Sequence, residues 1–70
     1  MKFIIGDKVS ISVPLSYLKT AEQIPMLRPP DLVSPDEIGE VVGIDSADLI
    51  KVRFRRGVFL IPIDRVEKDR

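Results

Sequence analysis

Five of the six prolines in this chain lie in the 24 residues from Pro14 to Glu37, a stretch that is also rich in large apolar side chains. The segments on either side alternate apolar and polar residues as strands do, and a small domain normally joins neighbouring strands with a handful of residues. Proline removes a backbone donor and fixes φ, so the connection is stiff and any helix in it must be short. Leu15, Leu18, Ile24, Met26, Leu27, Leu32 and Val33 are equally foreign to a disordered linker, which is polar and rich in Gly or Ser. Long ordered loops commonly carry function. Residues 17–33, YLKTAEQIPMLRPPDLV, are therefore read as a recognition loop.

A chain of 70 residues holds one domain, 1–70, and at that size a single core is only marginally stabilising. Cysteine and histidine are both absent, so neither a disulfide nor a structural zinc site can staple the fold. Stability has to come from apolar packing and backbone pairing, for which a hydrophobic content of 44% is sufficient. No apolar run approaches the ~20 residues that span a bilayer, and Gly6-Asp7-Lys8 interrupts the opening apolar stretch before it reaches signal-peptide length. The expected location is the cytoplasm or an equivalent internal compartment, without membrane insertion. Eleven basic and eleven acidic side chains cancel, so any binding to nucleic-acid phosphates would rest on a local patch.

Phe3 to Val13 reads as the first strand, because Val9, Ile11 and Val13 alternate with Lys8, Ser10 and Ser12. Gly6-Asp7 marks a bend at its start, and Pro14 ends it. Within the connection, Ser16 to Gln23 is expected to form two helical turns: Leu15, Leu18 and Ala21 fall on one helical face, and Thr20 with Gln23 has capping-box spacing. Pro29-Pro30 forces Arg28 and Pro29 toward extended backbone, and Ser34-Pro35-Asp36-Glu37 reads as a single helical turn. Three antiparallel strands follow, Glu40–Asp45, Leu49–Arg56 and Val58–Ile63, with Gly57 supplying the positive φ of an Arg56-Gly57 hairpin turn. In the middle strand Ile50, Val52 and Phe54 share one face, and Lys51, Arg53 and Arg55 the other. Val41 has the opposite parity to Val42 and Ile44, which points to a bulge near Gly43. Asp64-Arg65-Val66 is expected to make a 3₁₀ turn that drops Val66 onto the core, leaving 67–70 as a C-terminal tail. The layout is all-β: an SH3-like small barrel with a long proline-rich loop between the first two strands and short helical or 3₁₀ turns.

Catalysis is not expected, since the chain offers no histidine base and no thiol, and its serines have no identifiable base nearby. Scattered aspartates without the spacing of an oxygen-ligand loop predict no metal, and nothing calls for a cofactor. The basic stripe Lys51, Arg53 and Arg55, with Arg56 at the turn, either meets RNA, as in KOW-type barrels, or is a solvated face paired with Glu40 or other acids. Aromatics for base stacking are few: Phe54 has core parity, leaving Tyr17 and Phe59 or Phe3. Nucleic acid is thus not the expected partner. Met26, Leu27, Leu32 and Val33 either pack over the barrel as a second layer of core or form a docking patch. Pro29 and Pro30 stiffen the loop. Arg28 and Asp31 either pair and lock the bend or form the polar rim of that patch.

The string Tyr17-Leu18-Lys19-Thr20-Ala21 with Pro25-Met26-Leu27-Arg28-Pro29-Pro30-Asp31-Leu32-Val33, followed by Glu37-Ile38-Gly39-Glu40 and VRFRRGVFLIP, closely resembles the small SipA proteins of cyanobacteria and some algal plastids. The resemblance covers Gly6 to Val66. It implies an SH3-like barrel that binds the ATP-binding domain of the sensor histidine kinase NblS and modulates its autophosphorylation. Signalling to a response regulator in the high-light and nutrient-stress pathway would follow, in the cytoplasm or the plastid stroma. On this reading the partner-binding residues are Tyr17, Leu18, Lys19, Thr20, Met26, Leu27, Arg28, Pro29, Pro30, Asp31 and Leu32, with Lys51, Arg53 and Arg55 as a separate basic patch. Two alternatives stay open. One is an accessory subunit of a photosynthetic or electron-transfer complex, where small SH3-like barrels also occur; the other is an RNA-binding KOW-like barrel.

Overall fold

The computed structural model describes residues 3–69. Seven short strands form one antiparallel sheet: β1 (Lys8–Ile11), β2 (Leu18–Thr20), β3 (Leu27–Arg28), β4 (Gly39–Ile44), β5 (Leu49–Phe54), β6 (Gly57–Pro62) and β7 (Val66–Lys68). Their order across the sheet is β3-β2-β6-β5-β4-β1-β7. The described residues contain no α-helix, only 3₁₀ turns at Pro30–Leu32 and Ile63–Arg65.

The β4–β5–β6 meander follows its sequence pattern closely. Ile50, Val52 and Phe54 point into the core, and Gly57 takes φ +144° at the β5–β6 turn. Val41 stands opposite Val52 and Gly43 opposite Lys51, so Val42 is the extra residue of a bulge that reconciles the two parities of β4. At Gly39 a Cβ would lie 2.6 Å from Val52 Cγ1 and 2.7 Å from Phe54 Cε1, so a side chain there would displace core atoms.

Leu18 on β2 and Val66 on β7 belong to one core with Phe3, Val9, Val33, Val41, Ile50, Val52, Phe54, Phe59 and Ile61. Those two strands are five spacings apart in the sheet order, or ~24 Å if the sheet were flat. The sheet therefore curls around its core, consistent with a smallest extent of 19 Å. Its edges, β3 and β7, do not pair with each other.

Four expectations are corrected. Ser16–Gln23 is not helical: β2 lies on β6 (Lys19 opposite Leu60, Thr20 opposite Phe59), burying Leu18 and Thr20 and exposing Lys19. Pairing satisfies this backbone, whereas a two-turn helix bracketed by prolines would leave most of its end groups without partners. Thr20 instead closes the β2–β3 hairpin, its Oγ1 accepting from Met26 N–H at 2.8 Å while its own N–H donates to Met26 O at 2.8 Å. Ser34–Glu37 is a reverse turn, with Glu37 N–H donating to Ser34 O at 3.0 Å. The Glu37 carboxylate accepts from Arg55 N–H at 2.8 Å and from Ser34 N–H at 3.4 Å, tying the turn to β5. The first strand stops at Ile11, because the Ser12 and Val13 amides turn to Arg65 O at 2.8 and 3.3 Å. Finally, Glu67 and Lys68 are not a tail but part of β7 on β1, an arrangement extended by Asp69 N–H donating to Lys8 O at 2.7 Å. Arg70, the end of the expected tail, and the opening Met1-Lys2 lie outside the described residues.

Candidate docking surface

The excursion from 17 to 33 divides into anchors and display. Leu18 and Val33 are buried, and Leu15 and Leu32 pack against the same core. Buried apolar side chains of this kind contribute about 1.5–3 kcal/mol each, and here they hold the segment at both ends. Tyr17 (53% exposed), Met26 (49%), Leu27 (65%) and Ile24 (82%) face solvent. Of the residues expected to touch a partner, Leu18 and Thr20 are thus interior and serve the core and the hairpin. Lys19, Arg28, Pro29, Pro30 and Asp31 are exposed, and Leu32 is half-buried. No ion pair joins Arg28 to Asp31 among the described residues. The bend is held by backbone geometry instead: Pro29 sits at φ −59°, ψ 142°, and Leu32 N–H donates to Pro29 O at 3.4 Å.

Strand register places part of this display beside residues from the meander. Leu27 is opposite Lys19, Lys19 opposite Leu60, Leu60 opposite Lys51, and Lys51 opposite Gly43. Directly opposed residues point to the same side of a sheet, so these five make one row on the outer face. The bare Gly43 lets the Lys51 stem lie across β4, its Cδ 3.1 Å from the position a Cβ would take. Leu60, although on the outer face, is only 9% exposed. It lies in a trough of about 280 Å³ lined by Leu15, Ser16, Tyr17, Lys19, Leu49, Leu60, Pro62 and Arg65. Leu60 and Pro62 escape a reading from sequence, because the run VFLIP has no alternation to say which residues face outward. A second, apolar groove of about 420 Å³, which shares Leu15 with the trough, takes in Ile11, Pro14, Pro30, Asp31 and Val33.

The basic stripe is partly neutralised. Arg53 Nη2 lies 3.0 Å from Glu40 Oε1, and Lys8 Nζ is 3.3 Å from the same oxygen. Lys8 first, through its hydrogen bond and charge, and then Arg53 hold the Glu40 carboxyl below the usual carboxylate range. Lys51 and Arg55 have no carboxylate partner among the described residues. Phe3, Phe54 and Phe59 are all buried, which leaves Tyr17 as the single exposed aromatic. A stacking platform for bases needs several such rings, so the RNA reading gains nothing here. Among the described residues no group of three or more Asp or Glu side chains is placed to hold a metal ion, and no helix is long and apolar enough to cross a membrane.

Fold and surface together define a small all-β domain that displays apolar side chains on one hairpin and on the sheet face beside it. The chain belongs to the CRR42-like family, described as Protein CHLORORESPIRATORY REDUCTION 42-like, which matches residues 5–66. No curated protein and no solved structure matches it. The family match corrects the resemblance to SipA, which is a different family. The kinase partner and the two-component role came from that resemblance alone and fall with it. The string that carried the likeness, Tyr17 to Val33, is a hairpin followed by a 3₁₀ turn. Its leucines, prolines and buried threonine answer to those elements and do not identify a partner.

Proposed function

We propose that this chain is a non-enzymatic accessory protein of a photosynthetic electron-transfer complex, located in a plastid or an equivalent compartment. It would act by docking through Tyr17, Leu27 and the trough around Leu60. The observation that carries the reading is the family match, whose printed name refers to chlororespiratory reduction. The residues support a binding role: a chain without histidine or cysteine has little to offer catalysis, whereas apolar side chains held exposed on an anchored hairpin suit a protein interface. We further infer that the curled sheet has the arrangement of an SH3-like barrel, a reading supported by the meeting of Leu18 and Val66 in one core.

The test is sedimentation of a tagged chain with solubilised photosynthetic membranes. The wild type is expected to migrate with an electron-transfer complex, and a Tyr17→Ala, Leu27→Ala pair to return to the top of the gradient with an unchanged melting temperature. A wild-type chain found wholly in the free fraction, in cells that contain those complexes, would overturn the proposal.

A further inference from the structure

We propose that the trough beside β2 receives an acidic polypeptide segment carrying an apolar anchor, a Leu or Phe flanked by Asp or Glu. The inference deepens the docking role proposed above and rests on that reading for the choice of surface, but it does not depend on which complex is bound.

Its basis is an uneven distribution of charge in a chain whose net charge is zero. Lys8 and Arg53 share Glu40, Arg65 lies 3.8 Å from Asp64, and Lys68 lies 3.6 Å from Asp7. Among the described residues, the cations left without a carboxylate within 4.0 Å are Lys19, Arg28, Lys51, Arg55 and Arg56. Of these, Lys19 and Lys51 stand opposite Leu60 at the trough, whereas Arg28 and Arg56 lie with Glu22, and Arg55 with Glu37 and Glu40. No carboxylate lines the trough. The nearest acids along the excursion contribute elsewhere: Glu22 with Arg28 and Arg56, and Asp31 with Pro14 and Pro30.

Lys19 and Lys51 stand on either side of Leu60, two strand spacings apart, or about 10 Å. Acidic side chains flanking a single anchor span that separation in an extended or helical segment. The anchor would enter between Tyr17, Leu49 and Pro62, while the carboxylates meet two ammonium groups that have no carboxylate partner among the described residues. Charge complementarity of this kind sets partner choice and encounter rate. A lipid surface fits less well, because Leu60 forms the floor of a concavity rather than a projection. Single-stranded RNA fits less well because Tyr17 has no second exposed ring beside it.

The experiment is an NMR titration of the ¹⁵N-labelled full chain with four probes. These are a short synthetic peptide of Glu and Leu around a central Phe, the same peptide with Lys in place of Glu, phosphatidylglycerol vesicles, and oligouridine. The acidic peptide alone is expected to shift the amides of Lys19, Lys51 and Leu60. Its Kd should rise about tenfold in a Lys19→Glu, Lys51→Glu variant, and in the wild type it should rise with salt. Lys19→Ala and Lys51→Ala, checked by thermal melting, provide milder variants should the double reversal unfold the domain. No shift at the trough, equal shifts with the lysine peptide, or preferential binding of vesicles or RNA would each overturn the inference. A chain that ignores the peptide but sediments with a membrane complex loses this inference and keeps the proposed function. One that binds the peptide but never sediments with a complex does the reverse.

Discussion

Replacing Thr20 with Val keeps the side-chain shape and removes the oxygen that closes the β2–β3 hairpin. Thr20 Oγ1 accepts from Met26 N–H at 2.8 Å, in the place of a ladder carbonyl, and the Thr20 amide donates back to Met26 O at 2.8 Å. A protein hydrogen bond contributes about 0.5–1.5 kcal/mol net, and a buried donor left without a partner costs about 1–3 kcal/mol. Thr20 is 8% exposed but Met26 is 49% exposed, so water can reach the freed amide and the lower values apply. The expected loss is about 1 kcal/mol, or roughly fivefold in the opening equilibrium of the hairpin. Opening of an edge element is local, so hydrogen exchange of the Met26 and Thr20 amides should quicken about fivefold, while Val52, in the centre of the sheet, changes much less. Native-state exchange followed by NMR reads both. A Met26 amide that exchanges at the wild-type rate in Thr20→Val would refute the assignment of this threonine to the hairpin.

Gly39→Ala places a methyl 2.6 Å from Val52 Cγ1 and 2.7 Å from Phe54 Cε1. Overpacking of that kind costs about 1–3 kcal/mol, or about 4–8 °C of Tm per kcal/mol at this size. Gly43→Ala meets only the flexible Lys51 stem at 3.1 Å and should move Tm far less, so equal Tm values for the two variants would contradict the close passage of β4. Leu18→Ala empties a fully buried site and should cost about 2–5 kcal/mol, whereas Leu27→Ala, at 65% exposed, should stay within about 0.5 kcal/mol; urea unfolding separates the two. The lowered pKa of Glu40 means that its contribution to stability is present at neutral pH and fades as pH falls through the folded-state value. Glu40→Gln should therefore flatten the acid limb of Tm against pH, and an unchanged slope would show that the Lys8 and Arg53 pairing does not bear on folding.

The meander was legible because Ile50, Val52 and Phe54 alternate with Lys51, Arg53 and Arg55, and because Gly57 has few alternatives at a tight turn. The conflict of parity at Val41 and Val42 even located the bulge to within a residue. β2 was not legible: a three-residue strand has too few positions to separate period 2 from period 3.6, and Leu15, Leu18 and Ala21 mimic a helical face. β7 was missed for a different reason. Glu67 and Lys68 carry no apolar signal, and they are held to β1 by backbone pairing that side-chain pattern does not encode.

The same limits governed the surface. Tyr17, Met26 and Leu27 stood out as apolar residues in a connection, and they are exposed. Leu18 has the same composition and the same neighbourhood in sequence, yet pairing with β6 turns it inward. Lys51 and Arg53 looked equivalent on one strand, but Glu40 lies across from Arg53 and Gly43 across from Lys51. That difference in register decides which cation is free to meet a partner. It became visible only once the strands were aligned.

Backbone ¹⁵N relaxation of residues 17–33 in the isolated chain tests most directly whether the excursion is a built part of the sheet. Order parameters of about 0.85 through Leu18–Thr20, Leu27–Arg28 and Pro30–Leu32 (read on their non-proline amides) are expected for an anchored hairpin and turn. Values below about 0.6 across those residues would mean that Tyr17 and Leu27 are not held in place, and the docking surface built on them would not exist.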